Sequence, residues 1–105
     1  MIAARLDQLM ASGETGMDRT AFEAALPRAG FTESVGQDLP AGDTTPEHSH
    51  NFDARLLILS GSLILESGGT RRSYGPGEVF EVPRDTPHAE IAGATGVSYI
   101  AGRRR

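Results

Sequence analysis

A chain of 105 residues with 38% hydrophobic content and thirteen glycines has room for one modest core, and suits a turn-rich fold better than a helical bundle. Its net charge of −4 argues against nucleic acid or an acidic membrane surface as a partner. All ten basic residues are arginine and cysteine is absent, which excludes lysine Schiff-base chemistry, thiolate ligands, cysteine nucleophiles and a disulfide framework.

Ile2, Leu6, Leu9 and Met10 recur at helical spacing and predict a short helix over residues 2–11, ended by Ser12-Gly13. An early Asp7 and the lack of a continuous apolar stretch argue against a secretory signal. No apolar run approaches the roughly 20 residues that cross a bilayer, so a cytoplasmic location is expected. A second helix is expected after Thr20-Ala21-Phe22-Glu23, which fits a capping box, with Asp18 as a competing cap. Phe22, Ala25 and Leu26 form its apolar face, and Gly30 stops it. Two helices this short are too small to stand alone and are expected on the outside of the domain or across a subunit interface.

From Phe31 onward the pattern becomes strand and turn. Strands are expected over 31–38, 47–51, 56–59, 62–66, 71–74, 78–82, 88–92 and 97–101. Leu56 to Leu59 is apolar on both faces, as in a strand covered on both sides. Ser67-Gly68-Gly69-Thr70 reads as a tight hairpin, and Gly75-Pro76-Gly77 as a type II turn. Arg103-Arg104-Arg105 reads as a frayed, solvated tail. Seven or eight short strands at regular spacing predict an all-β antiparallel sandwich or small barrel.

The chemistry concentrates in the chain's three histidines. On an extended strand residues two apart share a face, so His48 and His50 would aim two imidazoles at one point. If the fold brings His88 to that point, the three make a facial metal site. Three neutral imidazoles suit a divalent Zn, Ni, Fe, Mn or Cu ion with open positions for water or substrate.

These residues resemble the two motifs of the cupin superfamily. The first runs Gly42, five residues, His48-Ser49-His50, then Ala54 where the family has glutamate, six residues, Gly61. The second runs Gly77, five residues, Pro83, Asp85 in place of glycine, two residues, His88, three residues, and Ala92 in place of asparagine. The resemblance covers roughly residues 33–102 and implies an antiparallel double-stranded β-helix, a jelly-roll barrel of the RmlC-like kind over residues 31–105, preceded by a helical extension over residues 1–30. It also implies His48, His50 and His88 as metal ligands and association as a homodimer.

Ala54 cannot supply the family's fourth ligand. Asp53, one residue earlier, is one candidate for a fourth ligand or general base; its plainer reading is a surface partner for Arg55. Glu90, two residues after His88 and so on its face, is the other; its plainer reading is a rim glutamate. By family analogy the chain is expected to be a metal-dependent enzyme of dioxygenase, isomerase or lyase type acting on a small anionic molecule. The alternative is a non-catalytic ligand-binding or sensor module.

Overall fold

A computed structural model describes residues 16–105. The helix expected over residues 2–11 lies outside the described residues. A short helix α1 (Arg19–Ala25) and a 3-10 turn (Pro27–Ala29) precede six strands. These are β1 (Glu33–Leu39), β2 (Thr44–His48), β3 (Asp53–Ser67), β4 (Thr70–Tyr74), β5 (Val79–Val82) and β6 (His88–Arg104). None of the described helices is long and apolar enough to cross a membrane.

The eight expected strands become six because two pairs fuse. Gly61 and the stretch 93–96, expected to end strands, instead bend β3 and β6. Each long strand then serves both halves of an antiparallel jelly roll. In one half the order is β1, the end of β6, the start of β3, then β5. In the other it is β2, the start of β6, the end of β3, then β4. The turns are as expected: Gly68 and Gly69 both adopt positive φ between paired Ser67 and Thr70, and Glu78 N–H donates to the Gly75 carbonyl around Gly77 at φ 82°.

The main core lies between the halves and contains Leu56, Ile58, Leu63, Leu65, Phe80 and Tyr99. Tyr74 is fully buried with its ring stacked on Phe80, and among the described residues its hydroxyl has no hydrogen-bond partner. A second apolar layer sits on the outer face, where Phe22, Leu26 and Phe31 cover Leu57, Val79 and Ile100. The two-sided apolarity of residues 56–59 is thereby explained: the even positions face the core and the odd ones face α1 and its flanks.

Asp18, not Thr20, caps α1, its carboxylate accepting from Ala21 N–H at 2.8 Å. Gly30 closes the 3-10 turn in the left-handed region, and Phe31 N–H returns to the Leu26 carbonyl. Residues 103–105 are not a frayed tail. Arg103 and Arg104 belong to β6; Arg104 donates to Asp53 and to the Ala29 carbonyl, and Arg105 pairs with Glu33.

Candidate metal centre

The sheet register brings two histidines together before any side-chain contact is considered. His48 ends β2 and His88 begins β6, and they are direct cross-strand partners. Their ring centroids are 4.3 Å apart. His50 reaches the same place by another route than expected. It lies beyond the end of β2, in the loop before β3, so strand alternation does not position it. The Asp85 N–H does, donating to the His50 carbonyl at 2.7 Å and tying that loop to the one before His88. Asp85 holds φ 60°, a conformation that aspartate tolerates better than most residues and that glycine, the family residue here, adopts freely.

One ring nitrogen from each of His48, His50 and His88 lies within 4.8 Å of the others. Two of the rings are fixed in the same way. His48 Nδ1 is 2.7 Å from the Pro46 carbonyl and His88 Nδ1 is 2.8 Å from the Thr86 carbonyl. A carbonyl only accepts, so each Nδ1 carries the proton and each neutral ring keeps its lone pair on Nε2. That is the tautomer and support expected of metal-binding imidazoles. The donor set therefore fits a divalent transition metal.

A cavity of about 250 Å³ opens beside the histidines. Its polar lining includes Gln37, Thr45, Glu90, Tyr99 and Arg103. Glu90 faces inward as its spacing from His88 implies, with Oε2 at 3.8 Å from His88 Nε2. Asp53 is placed elsewhere. Its Oδ1 accepts the Arg84 N–H at 2.8 Å and its Oδ2 accepts from Arg104, so the carboxylate ties β3 to the 83–87 loop and to the end of β6. Nor does it pair with Arg55, whose guanidinium binds Glu81 across the strands. Sequence reasoning missed Tyr99 and read Arg103 only as tail; the signal that links them is the two-residue spacing of 99, 101 and 103 along one face of β6.

Burial pushes the Tyr99 hydroxyl up to about 12, reinforced by the Glu90 carboxylate and opposed by Arg103, so at neutral pH it is a proton donor. Burial, then the neighbouring His48, His88 and Arg103, hold His50 below its ordinary 6.5. The Arg84 backbone N–H, then Arg104 and Arg84 side chains, hold Asp53 below its ordinary 3.8 against the opposing effect of burial. Both groups bind protons less readily folded than unfolded, so each favours folding at high pH and loses that contribution as pH falls. Metal-free protein is expected to lose thermal stability in two steps, below pH 6.5 and again below 3.8. Melting curves from pH 8 to 3 check this: His50→Gln is expected to flatten the first step and Asp53→Asn the second.

Comparison with known proteins gives one family and a common fold. The family model described as "Cupin domain" matches residues 36–97. No curated protein matches the chain by sequence. Among solved structures, KdgF from a Halomonas species aligns at 23% identity and TM-score 0.59, covering 69% of this chain and 67% of that one. The DMSP lyase DddQ from Ruegeria pomeroyi aligns at 26% identity and TM-score 0.64, over 69% of this chain but 37% of that one. An oxalate decarboxylase variant from Bacillus subtilis aligns at 21% identity and TM-score 0.62, over 68% of this chain and 20% of that one.

Proposed function

This chain belongs to the cupin family, and on that premise we propose that it is a metal-dependent enzyme acting on a small anionic organic molecule. His48, His50 and His88 are the metal ligands in this reading. The observation that carries it is the convergence of unlike polar groups on one small cavity: a carboxylate at Glu90 and a protonated phenol at Tyr99 beside three imidazoles. A cavity built only to hold a ligand needs no acid and base pair next to its ligand set. The lyase and decarboxylase among the similar structures support chemistry at such a site, at the level of analogy.

The bound metal, of the Zn, Ni, Fe or Mn kind, would supply Lewis-acid or redox chemistry according to its identity. The chain's own residues do the rest. Glu90, next to His88, takes a proton from the substrate as general base. Tyr99 donates its hydroxyl to charge that develops on a substrate oxygen. Phe52, stacked on His50 with centroids 4.6 Å apart, helps to orient that ring. Asp53, tied to Arg84 and Arg104, positions the loops and takes no part in proton transfer.

Metal content by mass spectrometry on protein purified without a histidine tag tests the reading. About one ion per chain is expected, absent from the His48→Ala/His50→Ala variant. Glu90→Gln is expected to keep the metal and lose roughly 10²- to 10⁴-fold in turnover. Iron would direct substrate screens to oxygen-consuming reactions, and zinc or nickel to lyase and isomerase reactions. No metal after reconstitution with several divalent ions would overturn the enzyme reading and leave a ligand-binding module.

A further inference from the structure

The position where the cupin motif carries a glutamate is occupied here by Ala54, which pairs with Arg103 on β6 and with Val82 on β5. Both line the cavity. A methyl group therefore stands where an acidic ligand is expected, with a guanidinium beside it, so the local charge is inverted. Ala54 is only 7% exposed, so it lies on the wall of the cavity and not on the outer surface.

Arg103 also differs from its neighbours in what it touches. Arg55, Arg71, Arg84, Arg104 and Arg105 each pair with a carboxylate. Among the described residues no carboxylate lies within ion-pair distance of Arg103, which rests its guanidinium 5.1 Å from the centre of the Phe52 ring. Glu90 is placed at His88, so a guanidinium on the wall of a cavity that would also hold a divalent metal favours a further anion there.

We propose that Arg103 and the space beside Ala54 receive the carboxylate of a small ligand, one oxygen facing the histidines' metal and the other held by the guanidinium. The proposal rests on the metal reading above. It assigns to the ligand the acidic group that the chain omits. The planar fork of arginine matches the two oxygens of a carboxylate. The cavity of about 250 Å³ has room for a small carboxylic acid anion.

The test uses cobalt(II)-loaded protein, with cobalt content measured first, titrated with acetate and with oxalate at constant ionic strength. The visible absorption of the cobalt is the readout. Wild-type protein is expected to give a saturable spectral change. Arg103→Gln is expected to keep full cobalt content and its circular dichroism spectrum, while its carboxylate affinity falls about ten- to hundred-fold, the worth of a charged hydrogen-bonded contact. Arg103→Lys is expected to restore part of the affinity. Ala54→Glu is expected to bind cobalt more tightly and to stop responding to added carboxylate, because its own side chain fills the site and meets Arg103. Cobalt-loaded Arg103→Gln with wild-type carboxylate affinity would overturn this proposal alone. Wild-type protein that takes up no cobalt would overturn the metal reading and this one with it.

Discussion

Replacing Gly61 with alanine is expected to cost about 2–5 kcal/mol, much of the stability of a domain this size. Gly61 sits where β3 bends, at φ 74°. That conformation alone costs a non-glycine residue about 1–2 kcal/mol. The larger part is steric. A Cβ on Gly61 would lie 2.0 Å from the Gly96 carbonyl oxygen and 3.0 Å from Val97 Cα. Both are backbone atoms of the facing strand, so no rotamer change relieves the contact and the pairing of β3 with β6 must open. Gly68 is the control. It also has positive φ, at 58°, but an added Cβ there meets nothing within 4 Å. Gly68→Ala should therefore show the conformational cost alone, about 1–2 kcal/mol. Urea denaturation of the three proteins measures the difference, and equal losses in the two variants would refute the steric account.

The second large effect is expected at the outer face. Arg55 and Glu81 are cross-strand partners on β3 and β5, joined by hydrogen bonds of 2.8 and 2.5 Å. Glu81 is only 6% exposed, and Arg55 also lies over the Phe31 ring at 4.8 Å. Arg55→Met takes the guanidinium from a buried carboxylate and is expected to cost about 3 kcal/mol, the lower end for a broken buried pair because the Arg55 side chain is one-quarter exposed. Arg55→Met/Glu81→Leu removes both charges and is expected to recover most of that loss. A double-mutant cycle read by denaturation midpoints checks it. Strict additivity of the two single changes would show that the pair is not coupled.

Most of the architecture was legible because its signals are local. The turns at Gly68-Gly69 and Gly75-Pro76-Gly77 depend on backbone freedom at single residues, and both occur where expected. The cross-strand meeting of His48 and His88 follows from motif spacing that the cupin family fixes. What was hidden depends on distant partners. His50 lies off the strand, held by an amide thirty-five residues further along, at Asp85. Asp53 could have faced either way until Arg84 and Arg104 were seen to claim it. Arg103 looked like the start of a solvated run because nothing in the sequence says that β6 continues past residue 101. Its continuation depends on pairing with β1 and β3.

The bends in β3 and β6 have a consequence for insertions and deletions. From Ile58–Tyr99 to Ser60–Ser98 the chain advances two residues on β3 and one on β6; from Gly61–Val97 to Leu63–Ala92 it advances two on β3 and five on β6. β3 thus carries one surplus residue and β6 three. Both surpluses are odd, so each strand exchanges its inner and outer positions at the bend. Core residues Leu56 and Ile58 give way to Leu63 and Leu65 on β3, and Ala92 gives way to Val97, Tyr99 and Ala101 on β6. The two changes of frame compensate each other across the sheet. Losing one residue at the β3 bend alone would turn half of that strand inside out, exchanging Leu56 for Arg55 at the cavity wall. A matching loss in 93–96 would be needed to restore the agreement, so length changes at these two remote places are bound to one another, whereas an added residue at the Gly68-Gly69 hairpin touches neither frame.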